Sequence, residues 1–140
     1  MGTAVIAILD DIERRIRANG GNPVPVSGEH LHILRHVQGS RFDGYGPVLI
    51  GRRKLGEIRA LKKRIEEAIT EHVAFNLNPK PWIQGDGKPI ALADMNYRHI
   101  CNAQLMITYG RLRRQGCSGL TNQEWLRVFS NELLLRKCRG

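Results

Sequence analysis

No apolar run in this chain approaches the roughly 18 residues that a membrane-spanning helix needs, so none is expected. The amino terminus also lacks the succession of basic patch, apolar stretch and small-residue cleavage site, so secretion is not expected. Cysteine is scarce. Cys101, Cys117 and Cys138 form an odd set without CxxC spacing, which predicts reduced thiols in a cytoplasm rather than a disulfide framework. Acidic side chains are the other shortage, with 13 Asp+Glu against 22 Lys+Arg and a formal net charge of +9. With 41% hydrophobic and 25% charged residues, the composition excludes a disordered chain. A length of 140 residues suits one ordinary domain whose core needs no covalent staples.

The excess charge is localised. Residues 1–51 sum to zero, residues 52–64 carry seven basic groups against Glu57, residues 65–94 sum to −3, and residues 95–140 return to +6. Sixteen of the 22 basic residues are arginine. Its planar fork suits phosphate, although codon usage in a GC-rich genome gives the same bias.

Helical spacing of Val5, Ile8, Leu9, Ile12 and Ile16 predicts a helix over 4–18, stopped by Gly20-Gly21. Asn22-Pro23-Val24-Pro25 must be extended, because proline restricts itself and its predecessor. Ser27 can cap a short helix holding Leu31, Leu34 and Val37, and the glycine-rich residues 39–51 read as a structured loop ending in one short strand, Val48-Leu49-Ile50. Leu55, Ile58, Leu61, Ile65, Ile69 and Val73 keep one apolar arc along a long helix over 52–76. Trp82-Ile83 and Ile90-Ala91-Leu92 around Asp86-Gly87 predict a hairpin. Asp94 can cap a helix with Tyr97, Cys101, Leu105, Tyr109 and Leu112 on one face, running to the break at Gly116–Gly119. That helix is apolar nearly all round, which predicts a central position. Thr121-Asn122-Gln123-Glu124 is a capping box opening a last helix with Trp125, Leu126, Phe129 and Leu133 inward. The expected class is mainly α: a compact bundle of about five helices with one small β-hairpin around 82–92. It forms a single domain, with a helical part at 1–77 and the hairpin and C-terminal helical pair at 82–138.

Trp82, Gly87, Ile90, Asp94-Met95, His99-Ile100, Asn102 and Met106 together resemble a motif common in small phage and prophage proteins of unassigned function. The threonine usual near the tryptophan is replaced by Gln84 or absent. The resemblance covers residues 82–108 and implies a phage or prophage gene product working inside a bacterium. It implies no mechanism. In physical terms the motif is a folding unit, since so small a hairpin must pack Trp82 and Ile90 on the helix that follows. His99 and Asn102 share a helical face and are expected to hydrogen-bond back to the hairpin.

Arg52, Arg59 and Lys63 fall within about 40° of one another, opposite the apolar arc, where a two-turn step of about 11 Å can follow phosphates. Arg53 and Lys62 flank them, and Arg111, Arg113 and Arg114 form a second cluster. Part of this charge is matched locally by Glu57, Glu66 and Glu67 at i,i+4 spacing. Trp125, Phe129, Phe75 and Tyr97 sit on expected core faces, which argues against base stacking and for backbone contact. About seven residues, Gln115 to Thr121, join the last two helices, too many for a helix-turn-helix, and no zinc-finger or RNP spacing occurs. His32 and His36 could share a metal ion, but His30 points elsewhere and no third ligand follows, so no metal or cofactor is expected. Gly46-Pro47-Val48-Leu49-Ile50-Gly51-Arg52-Arg53 imitates a P-loop without its lysine and hydroxyl, and no other catalytic constellation is present.

The expectation is therefore a non-enzymatic cytoplasmic protein that binds a DNA or RNA backbone, or a nucleoprotein, through Arg52, Arg53, Arg59, Lys62, Lys63, Arg111, Arg113 and Arg114. The alternative is a protein-binding inhibitor of a host complex, of counter-defence or anti-CRISPR-like type. The Leu133-Leu134-Leu135 triplet carries more apolar surface than one helical face buries, which makes a homodimer a third expectation.

Overall fold

The computed structural model describes residues 3–26, 48–112 and 114–139. Among them are four α-helices and two two-stranded antiparallel pairs, so the protein is mainly helical. The elements in chain order are α1 (Thr3–Ala18), β1 (Val24–Val26), β2 (Val48–Ile50), α2 (Arg52–Leu77), β3 (Trp82–Ile83), β4 (Pro89–Ile90), a 3₁₀ turn (Leu92–Asp94), α3 (Tyr97–Thr108) and α4 (Asn122–Cys138). The helix expected to follow Ser27 lies outside the described residues. The chain packs as two units, Met1–Ile69 with Leu134–Gly140, and Thr70–Leu133.

In the first unit, α1 buries Val5, Leu9, Ile12 and Ile16, the stripe its spacing requires. Each such side chain contributes about 1.5–3 kcal/mol by leaving water. α1 ends where the glycines demand. Gly20, at φ +66, donates its N–H to the Arg17 carbonyl while Gly21 donates to Ile16, a Schellman stop. The extended segment after it then pairs with the apolar triplet, with Val24 opposite Ile50, Pro25 opposite Leu49 and Val26 opposite Val48. One hairpin was expected and there are two strand pairs, because these partners lie more than twenty residues apart and only tertiary structure joins them. Val24, Val26 and Ile50 turn inward onto Ile58, Leu61 and Ile65 of α2, while Pro25 and Leu49 face out. A proline is tolerated there because each strand of a two-stranded pair has an open edge.

In the second unit, Trp82, Leu92, Met95, Ile100, Ala103, Ile107, Trp125 and Phe129 form one buried cluster. Trp82, Trp125 and Phe129 lie with ring centroids 5.2–5.4 Å apart. Ile90 packs against the same cluster, so the hairpin does rest on the following helix. It is tied down by other residues than those expected. Arg114 donates to the Ile83 carbonyl at 2.5 Å and Ser118 Oγ to the Pro81 carbonyl at 2.6 Å, whereas His99 and Asn102 make no side-chain bond among the described residues. The second strand is shorter than expected, since Leu92 enters the 3₁₀ turn. Asn96, not Asp94, caps α3: its Oδ1 accepts from the His99 N–H at 2.8 Å. The capping box of α4 forms as its spacing predicts, with Glu124 N donating to Thr121 Oγ1 and Thr121 N to Glu124 Oε1. Asn131 and Glu132 of α4 are also buried. Asn131 donates to Glu71, which takes a two-pronged grip from Arg127 at 2.6 and 2.8 Å. The leucine triplet is absorbed: Leu135 is buried, and Leu133 and Leu134 are half-buried, so the exposed patch invoked for a homodimer is absent.

α3 stops eight residues before the expected break. Gly110, at φ +63, donates to Ile107, and Arg111 donates to Met106, a second Schellman stop. Gly110→Ala is expected to lower stability by about 1 kcal/mol through backbone strain alone, since a Cβ there meets nothing within 4 Å. Gly85→Ala, with the same open space and no positive φ, is the control and should change the thermal midpoint little. Equal losses at the two positions would contradict this account of the helix end.

Candidate nucleic-acid interface

The β1–β2 pairing sets the Gly20–Pro23 turn beside the start of α2, because β2 passes through a single residue, Gly51, into that helix. The approach is close. A Cβ on Gly51 would lie 3.2 Å from Pro23 Cγ, and one on Gly21 would lie 2.5 Å from Arg52 Nη2. Gly21, at φ +85, therefore gives Arg52 the space in which its guanidinium sits, and Arg52 donates to the Gly20 carbonyl at 3.3 Å. Between the turn and the helix lies a cleft of about 590 Å³ whose cationic wall is Arg52, Arg53 and Lys54. The first turn of α2 holds these three cations and no acid. That arrangement opposes the helix macrodipole, whose amino-terminal end favours anions by about 0.3–1 kcal/mol per charge. Lys54 is partly neutralised by Glu57 at 3.5 Å, while Arg52 and Arg53 are exposed.

The rest of the predicted stripe divides. Arg59 Nε meets Glu13 Oε1 of α1 at 2.5 Å, and Glu13 also pairs with Arg17 at 3.2 Å. Lys62 Nζ lies 2.6 Å from Asp10 Oδ1 and 3.9 Å from Glu66, and the Asp10 hydrogen bond holds its pKa above the ordinary lysine value. Arg59 and Lys62 thus neutralise acids of α1 instead of facing solvent unpaired. Sequence spacing showed only the i,i+4 matches, and the partners that matter are 46 residues away for Arg59 and on α1 for Lys62. Lys63 is exposed and makes no ion pair among the described residues.

The second cluster is not a single surface. Arg111 is exposed just past the end of α3, Arg113 lies outside the described residues, and Arg114 is half-buried with its guanidinium carbon 4.8 Å from the centre of the Trp82 ring. That cation–π contact and the bond to Ile83 make Arg114 part of the hairpin's support.

Two features escaped the residue patterns. Gly20, Gly21 and Lys54 line the cleft, and their only sequence signal was a Gly-Gly-Asn-Pro turn and an unbroken run of three cations after Gly51. The expected core face of α3 is also reversed. Ile100, Ala103 and Ile107 are buried, whereas Tyr97 is 61%, Leu105 51% and Tyr109 68% exposed. An apolar face opposite a second apolar face offers no periodicity by which to choose.

The candidate metal ligands His30, His32 and His36 lie outside the described residues, among which no group of three or more His, Cys, Asp or Glu could hold a metal ion. Cys101, Cys117 and Cys138 are half-buried free thiols, and burial pushes the Cys138 thiol above its ordinary pKa, away from nucleophilic thiolate. Among the described residues no helix is long and apolar enough to cross a membrane. No protein-family model, no curated protein and no solved structure matches the chain.

Proposed function

We propose that this chain is a non-enzymatic accessory protein of phage type that grips the phosphate backbone of DNA or RNA, free or within a nucleoprotein, inside a bacterial cell. The observation that carries this reading is the cleft at the start of α2. There three consecutive cations sit at the positive end of a helix with no acid in the first turn, and one of them is held against Gly20 and Gly21. A phosphate offsets both the mutual repulsion of the cations and their conflict with the dipole. Lys63, exposed farther along the same helix and about 15 Å from Arg53 by its rise, extends the positive surface. The net charge of +9 supplies the long-range attraction that steers a polyanion to it.

The test is direct titration of the protein against labelled duplex DNA, single-stranded DNA and RNA at physiological salt. Micromolar or tighter binding to at least one of them is expected. Absence of binding to all three overturns the proposal, and tight capture of a defined host complex under the same conditions would favour the inhibitor reading instead.

A further inference from the structure

The outer half of α3 is unpartnered in a specific way. At 100° per residue Tyr97, Arg98, Asn102, Leu105 and Tyr109 fall on one arc, opposite the buried Ile100, Ala103 and Ile107. Tyr97 and Tyr109 are the two most exposed large hydrophobic side chains of that arc, about 18 Å apart along the axis. Each ring has an exposed arginine close in sequence: Arg98 follows Tyr97, and Arg111 follows Tyr109 across the helix stop. From Met95 to Gln123 the chain contains no Asp or Glu. A second copy of the same face would bring cation to cation with no acid to answer it, so self-pairing through this face is opposed.

We infer that the outer face of α3 is a stacking surface for single-stranded nucleic acid, Tyr97 and Tyr109 taking bases while Arg98 and Arg111 take the adjoining phosphates. The inference rests on the polyanion reading above and narrows its substrate to strands whose bases are bare. A duplex hides its base faces, so only a single strand can use both members of each ring-and-arginine unit. Stacking of this kind tolerates any base, because every base presents a π-face.

The experiment compares Tyr97→Ala/Tyr109→Ala and Tyr97→Phe/Tyr109→Phe with the unaltered protein, binding a short labelled oligothymidylate and a labelled duplex. Both tyrosines are exposed, so the thermal midpoint should hardly move. The alanine pair is expected to lose about 10- to 100-fold in oligothymidylate affinity, with duplex affinity changed less than about twofold. The phenylalanine pair should keep most of its single-strand binding. Unchanged oligothymidylate binding in the alanine pair, with duplex binding intact, overturns the stacking face and leaves the polyanion reading standing. So does an equal loss in the phenylalanine pair, which would assign the effect to the hydroxyls. A requirement for the tyrosines in capturing an acidic protein, but not in binding the oligonucleotide, overturns it in favour of a protein partner. Failure of the unaltered protein to bind any of the oligothymidylate, the duplex and a labelled single-stranded RNA removes the polyanion reading itself.

Discussion

Trp125→Ala is expected to lower the stability of the Thr70–Leu133 unit by about 3–5 kcal/mol, the usual cost of emptying a large aromatic site. The indole is fully buried and meets Trp82 edge-on at 5.3 Å, Phe75 at 6.2 Å and Phe129 in a stacked arrangement at 5.4 Å. No neighbour can move into so large a space without leaving its own contacts, so the cavity persists. The Nε1–H also donates to the Cys117 carbonyl at 3.0 Å, pinning the 116–120 turn to α4. Trp125→Phe should cost less, about 1–2 kcal/mol, because that carbonyl still accepts from the Leu120 N–H. Urea unfolding followed by the remaining tryptophan, Trp82, measures both. A loss below about 1 kcal/mol for the alanine variant would contradict the aromatic cluster as the centre of this unit.

The second large effect concerns charge. Arg52→Glu/Arg53→Glu/Lys63→Glu is expected to weaken duplex binding by about 100-fold or more at about 0.1 M salt, since three cations of the proposed phosphate surface become repulsive. Arg59→Gln/Lys62→Gln is the informative contrast. Those two side chains are engaged with Glu13 and Asp10, so their neutralisation should change affinity only about threefold. It should lower stability only slightly, as the loss of exposed ion pairs does. Electrophoretic mobility shift measured on the two variants side by side separates the roles. If the Arg59/Lys62 variant loses as much affinity as the triple variant, the cleft is not where the polyanion sits.

How far sequence carried each part follows from the range of the interactions involved. Local physics was legible: the α1 stripe from Val5 to Ile16, the glycine stop after it, the capping box at Thr121 and the hairpin at Trp82 all depend on interacting residues no more than about eight positions apart. The pairing of β1 with β2 was not, because Val24 and Ile50 reveal their relation only once folded. The end of α3 was misplaced for a different reason. Leu112 continues the apolar rhythm past Gly110, and periodicity weighs less than a left-handed glycine with two free carbonyls to satisfy. The cap at Asn96 was missed because Asp94 is an equally good capping residue two positions earlier, and Asp94 instead ends the 3₁₀ turn. In the candidate site, Arg52 and Arg53 could be chosen from composition, while the neutralisation of Arg59 and Lys62 by α1 and the use of Arg114 under the hairpin are long-range facts.

The central claim is that the exposed cations Arg52, Arg53 and Lys63 of α2 hold phosphate, and the salt dependence of duplex binding tests it most directly. For each phosphate neutralised, the slope of log K against log salt steepens by about 0.9. The unaltered protein should give a steep negative slope, and Arg52→Glu/Arg53→Glu/Lys63→Glu should flatten it by about three units, one for each cation reversed. A slope near zero in the unaltered protein, or the same slope in both, would contradict the account.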